Sequence, residues 1–209
     1  MSAGPGGPAH GAELVLGTTN AGKVRELAVL LEPHGIRVVS LRDCGGGTTI
    51  EETGATFAEN ASLKAAGQAA VLGRWVLAED SGLCVAALEG APGVRSARFS
   101  GTGDDEANND LLLERMAGVP DGSRGAWYAC HAALADPGGR VVAVSEGVCR
   151  GMIARSRSGS GGFGYDPLFV VPEYHRTFGE LPAEVKSLLS HRARAMRAML
   201  PAVLRHLHA

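Results

Sequence analysis

Short apolar runs alternate with amphipathic stretches along most of this chain, and their periods predict its elements. Glu13–Gly17 (ELVLG) is too short for a helix and is expected to be a strand. Val24, Leu27, Ala28 and Leu31 recur at helical spacing and predict a helix from Ala21 to Glu32, ended by Pro33 and Gly35. Ile36–Ser40 predicts a second strand, and residues 43–55 have no period and read as a loop. Thr56 and Glu59 form a capping-box pattern that opens a helix reaching Leu72. Trp75–Ala78 predicts a short buried strand ending in the polar segment Glu79-Asp80-Ser81-Gly82, and Leu83–Leu88 predicts another strand after it. A helix is expected over Asp105–Met116. Strands are expected over Ala126–Ala135 and Arg140–Val148, on either side of the hairpin signal Asp136-Pro137-Gly138-Gly139. A Gly-rich loop at Gly159–Gly164 precedes a strand at Pro167–Val171. The apolar series Ala193, Met196, Leu200, Val203, Leu204 and Leu207 predicts a final helix kinked at Pro201. Strands and helices intermixed, with a hairpin in the second half, predict an α/β fold with a partly mixed sheet in one domain over residues 13–209.

Composition narrows the function classes. The chain has 209 residues, 45% hydrophobic and 20% charged, an ordinary globular balance. A formal net charge of −2 supplies no global basic field, so no nucleic-acid backbone is expected as partner, and a polyanionic ligand needs a local cluster of donors. The four cysteines are scattered without zinc spacing and read as reduced thiols, which places the protein in the cytoplasm. Residues 1–12 are rich in Gly and Pro and read as a disordered leader rather than a signal peptide. No apolar run reaches the roughly 18 residues of a membrane span, so no membrane partner is expected.

Five segments carry candidate chemistry. Gly17-Thr18-Thr19-Asn20-Ala21-Gly22-Lys23 lies between a strand and a helix, where backbone N–H groups and a lysine attract phosphate. Its spacing matches the phosphate loop GxxxxGK, but Val24 stands where that motif needs a Ser or Thr for Mg²⁺. Asn60 and Lys64, four apart, share a helix face suited to a phosphate chain. Glu79 and Asp80 follow an apolar strand, where an α/β sheet places its ligands, and carboxylates there suit Mg²⁺. In Gly161–Pro167, Phe163 or Tyr165 can stack on a base and Asp166 can accept from ring N–H groups. Lys186, His191 and Arg192 can share a pocket if Ser190 caps a new helix, since on one continuous helix Lys186 and His191 diverge.

TTNAGK, FAENASLKA, AEDSGL, GAPGVRSARFSG, GGFGYDPLF and KSLLSHR, in that order, resemble the inosine/xanthosine triphosphate pyrophosphatases over nearly the whole chain beyond the leader. The resemblance implies an elongated mixed β-sheet flanked by helices with a central substrate cleft, usually a homodimer. It implies Mg²⁺-dependent hydrolysis of ITP, dITP and XTP to the monophosphate and pyrophosphate, cleansing the nucleotide pool. Thr18, Thr19, Asn20, Ala21, Gly22 and Lys23 then correspond to the triphosphate loop, and Lys64, Ser81 and Lys186 to substrate contacts. Phe163, Gly164, Tyr165, Asp166, His191 and Arg192 correspond to the base pocket. Asp80 corresponds to the proton acceptor, and Glu51 with Asp80 to the metal positions. Glu52 adjoins Glu51 and is equally able to be that ligand. Glu79 and Val185 depart from the family's usual residues at their positions. A P-loop phosphotransferase and a non-catalytic nucleotide-binding module are the rival readings, and Val24 opposes the first.

Overall fold

The computed structural model describes residues 12–19 and 21–208, so most of the expected leader and Asn20 of the phosphate loop lie outside the described residues. Among the described residues seven strands form one sheet in the order β2-β1-β3-β4-β5-β6-β7. They span Glu13–Leu16 (β1), Arg37–Ser40 (β2), Val76–Val85 (β3), Gly125–Ala135 (β4), Val141–Ile153 (β5), Phe169–Val171 (β6) and Arg176–Thr177 (β7). β1 runs parallel to both β2 and β3, and the rest of the sheet is antiparallel, so the expected mixed α/β sheet is present. The helices are Ala21–Leu31 (α1), Phe57–Leu72 (α2), Asp105–Arg115 (α3), Ala183–Leu189 (α4) and His191–Leu207 (α5). Among the described residues no helix is long and apolar enough to cross a membrane.

The two faces of the sheet are packed differently. On one face α2 lays Ala61, Ala65 and Ala69 against Val15, Val76, Ala78 and Ala133, and these small side chains let the helix lie close to the strands. On the other, α1 and α5 bring Leu27, Leu31, Met196, Met199 and Val203 onto Leu14, Leu16, Leu77 and Leu134. A further cluster around Leu83, Tyr128, Phe169 and Phe178 fills the space towards β6 and β7. Thr56 and Glu59 make the expected capping box of α2. The hairpin turn is held by Asp136, whose carboxylate accepts from the N–H groups of Gly138 and Arg140 at 3.1 and 3.0 Å.

Two expectations change. Residues 79–82 are not a turn between two strands but the middle of a single one, β3. Asp80 and Ser81 pair in register with His131 and Cys130, and the two acids in mid-strand are tolerated because each meets a cation, Lys23 and Arg192 at Glu79 and Lys64 at Asp80. Gly82 serves close packing rather than a turn: a Cβ there would meet the Ser96 hydroxyl and lie 2.6 Å from the Gly93 carbonyl oxygen. The last helix, as expected, includes Pro201. Ser190 does separate α4 from α5, its hydroxyl accepting from Ala193 N–H at 3.2 Å as an N-cap.

The first turn of α5 lies directly on β5, and Gly147 makes that possible. A Cβ at Gly147 would collide with the backbone of His191 and Ala195. Backbone cannot swing aside as a side chain does, so Gly147→Ala must push α5 off the sheet. It is expected to lower stability by about 1–3 kcal/mol, the usual size of an overpacking penalty. Thermal unfolding checks this, and an unchanged midpoint would show that α5 is not seated on Gly147.

Candidate active site

The chain leaves β1 through α1 to reach β2 on one side, and leaves β2 through α2 to reach β3 on the other. A crevice is expected at the carboxyl end of a strand where the connection reverses in this way. β1 also stops early. It pairs with β3 only where Val15 and Leu16 meet Val76 and Leu77, with a last bond from Gly17 N–H to the Leu77 carbonyl at 2.9 Å. Beyond Leu77 no described strand covers this edge of β3 until the isolated bridge between Cys84 and Pro92. Glu79, Asp80 and Ser81 lie on that open stretch.

Successive strand residues point to opposite faces, so Glu79 and Asp80 serve different halves of the site. Asp80 faces α2. Its carboxylate accepts from Lys64 Nζ at 2.9 Å and Asn60 Nδ2 at 3.3 Å. Lys64 also lies 3.4 Å from Glu52 Oε2. Burial raises the Asp80 pKa, Lys64 opposes that, and Glu52 adds to it. Two acids thus converge on one ammonium. Glu51 and Glu52 are both exposed, and of the pair it is Glu52 whose carboxylate reaches Lys64.

Glu79 faces α1 and α5. Its Oε1 lies 2.5 Å from Lys23 Nζ and accepts from Arg192 Nε at 3.2 Å, while Oε2 accepts from Cys130 Sγ at 3.2 Å. Burial works to raise its pKa, but Lys23 and Arg192 outweigh burial and hold it well below the usual carboxylate range. Glu79 therefore ties the phosphate-loop lysine to the arginine of the expected base pocket. Its side chain leaves β3 on the face opposite that of Asp80. Cys130 carries no sequence signal, because its contact with Glu79 exists only through the β3–β4 register.

Thr18 and Thr19 form the described part of the loop after β1, and Ala21 and Gly22 open α1 with Lys23 in its first turn. Ser81 is half-buried on the Glu79 face. Of the two candidate stacking residues, Phe163 is the exposed one, at 50%. Lys186 Nζ sits 4.3 Å, and Arg192 Cζ 5.7 Å, from its ring centroid. Tyr165 is buried instead, and its hydroxyl donates to the Ser96 carbonyl at 2.8 Å, so its ring is part of the pocket's frame. Asp166 is buried, ion-paired with Lys186, and accepts from Phe163 N–H at 2.8 Å. Burial raises its pKa, with Lys186 pulling the other way. His191 is buried and stacks on Tyr128 with centroids 4.7 Å apart. Burial, reinforced by Arg192, pushes its pKa well below the usual histidine value, so the ring is neutral at physiological pH. Its Nδ1 is buried without a hydrogen-bond partner among the described residues.

Fold and site define a nucleotide-processing α/β enzyme: a strand-to-helix loop leading to Lys23, an acid–cation cluster at an open strand edge and an aromatic pocket beside them. The family model described as the Ham1 family matches residues 14–202, and the chain belongs to that family. It is 55% identical over 194 residues to the dITP/XTP pyrophosphatase of Rhodopirellula baltica, covering 92% of this chain and 93% of that one. To the dITP/XTP pyrophosphatase of Desulforamulus reducens it is 53% identical over 186 residues, covering 88% and 92%. The solved HAM1 protein from Coxiella burnetii superimposes with a TM-score of 0.85 at 38% identity, over 93% of this chain and 99% of that one.

Proposed function

We propose that this chain hydrolyses the non-standard purine triphosphates ITP, dITP and XTP to the monophosphate and pyrophosphate, with Mg²⁺ as its metal. The observation that supports this most is the placement of Asp80 at an uncovered strand edge. There a substrate can reach the Lys64–Glu52 side and the Lys23–Arg192 side of β3 together.

The donors fit a magnesium ion. Asp80 and Glu52 offer hard carboxylate oxygens, and Lys64 already places a positive group between them. Among the described residues no cluster of three or more potential protein ligands exists. Mg²⁺ is commonly held by one or two carboxylates, with water and substrate phosphate completing its shell, so two acids suffice. When bound, it supplies positive charge to the phosphate oxygens. Asp80 orients and deprotonates the water that attacks the α-phosphorus, the α–β bridging bond breaks, and pyrophosphate carries the electron pair away. Lys23, Lys64 and the amides heading α1 neutralise the charge that develops on the leaving group. Phe163 offers a face to the purine, and the unpartnered His191 Nδ1 is a buried polar atom that a base edge can satisfy.

ITP with Mg²⁺ should yield IMP and pyrophosphate in one step, read by separate detection of pyrophosphate and orthophosphate. IDP and orthophosphate as first products would sink this reading and favour the phosphotransferase, and binding without turnover would favour a nucleotide-binding module. A homodimer acting in the cytoplasm belongs to the same proposal on the strength of the family resemblance, and sedimentation velocity reads the dimer.

A further inference from the structure

The loop that carries Phe163 is gripped by a helix that does not otherwise enter the site. Asp105 and Asn109 stand four apart on α3 and so share one face. Asp105 Oδ2 accepts from Gly164 N–H at 2.8 Å, and Asn109 Nδ2 donates to the Gly164 carbonyl at 2.9 Å. Gly164 has φ +60, a left-handed conformation in which glycine is unstrained. Both peptide planes flanking it are thereby fixed, one of them joining it to Phe163. The start of the loop is held by the same helix, since Arg157 donates to the Glu106 carbonyl at 3.0 Å and to Asp110 Oδ1 at 2.9 Å.

α3 is itself anchored. Buried Asn108 accepts from Ser100 N–H at 2.8 Å and donates to the Ala97 carbonyl at 3.3 Å. That ties the helix to the segment whose Ser96 carbonyl receives the Tyr165 hydroxyl. Asn109 is only 1% exposed, and its Oδ1 has no hydrogen-bond partner among the described residues. An apolar side chain would fill that place without stranding an acceptor, so what the amide contributes is its grip on Gly164.

We propose that Asp105 and Asn109 are positioning residues for base binding: by clamping Gly164 from both sides they set where the Phe163 ring stands against the purine, without touching the substrate. This rests on the pyrophosphatase reading above. The clamp lies on the base side, so loosening it should alter recognition of the base and leave recognition of the phosphates alone.

The test measures kcat and KM for ITP and for ATP, and inhibition by pyrophosphate, in Asp105→Ala, Asn109→Ala and Asp105→Asn. Asp105 is exposed, and Asp104 caps α3 independently through Ala107 N–H, so Asp105→Ala should fold even if Asn109→Ala does not. In the alanine variants KM should rise about tenfold for ITP and for ATP alike, the scale of one lost hydrogen bond. The inhibition constant for pyrophosphate should stay unchanged. Asp105→Asn keeps a side-chain acceptor and should restore most of the affinity for both nucleotides. A KM for ITP within about twofold of wild type in Asp105→Ala, too small for a lost bond, overturns the proposal. So does a parallel loss for ITP, ATP and pyrophosphate, which would mark a merely structural role. A wild-type protein that releases no pyrophosphate from ITP would instead show that the pyrophosphatase reading had failed, and the proposal with it.

Discussion

Asp80→Asn should lower kcat for ITP by roughly 10²- to 10⁴-fold, the usual size of a general-base contribution. The amide keeps the shape of the side chain, and its oxygen can still accept from Lys64. What disappears is the negative charge and the capacity to take a proton from water. Because Asp80 is mostly enclosed by α2 and sits between Lys64 and Asn60, the variant should retain its fold. Steady-state kinetics alongside thermal unfolding separates the two effects. Near-normal turnover in a folded variant would remove Asp80 from the chemistry. Lys23→Ala is the contrasting case: it should mainly raise KM if its phosphate contact is equally strong in ground and transition states. It also deprives Glu79 of one of its two cations, so stability has to be read in the same samples.

Arg192→Ala should narrow the preference for ITP and XTP over ATP by roughly 10- to 100-fold, the range expected for a buried donor left without a match. Hypoxanthine and xanthine present an acceptor oxygen at the 6-position, whereas adenine presents an amino donor there. Arg192 is buried with its Nε committed to Glu79, so it is held in place at the start of α5 beside Phe163. A donor held in place rewards the keto base and leaves adenine facing donor with donor. Guanine shares the 6-oxygen, so GTP must be rejected at its 2-amino group by the pocket walls. Phe163→Ala should weaken all purine triphosphates alike, because a ring face does not choose among them. Equal losses for ITP and ATP in Arg192→Ala would show that Arg192 does not read the 6-position and acts on Glu79 or the phosphates instead.

Much of this protein is legible in local sequence pattern. The capping box at Thr56 and Glu59, the Asp136–Gly139 hairpin and the break at Ser190 are each visible because the signal lies within a few residues and the physics is equally local. The passage from β1 into α1 is visible for the same reason, as a strand and a helix in close succession. Pattern fails at residues 79–82. Two acids and a glycine within four residues look like a turn when only neighbours in sequence are considered. In the folded chain they continue a strand, because Lys23, Lys64 and Arg192 come from three different helices to compensate the charge.

The same limit explains what only tertiary structure decided about the site. The sequence by itself determined the types of chemistry present: a phosphate-attracting turn, paired carboxylates, an aromatic beside glycines and a cationic helix start. It could not decide which carboxylate works with which cation. That depends on strand alternation, which sends Glu79 and Asp80 to opposite faces, and on the early end of β1, which leaves an edge where both faces can be reached. It could not separate Glu51 from Glu52 either, since in a loop without periodicity neighbouring side chains have no assigned direction until packing against α2 turns one of them towards Lys64. Nor could it find Cys130, Asp105 or Asn109, whose partners are 51, 59 and 55 residues away. Such contacts carry no local period, because their geometry is set by how the elements pack rather than by the residues beside them.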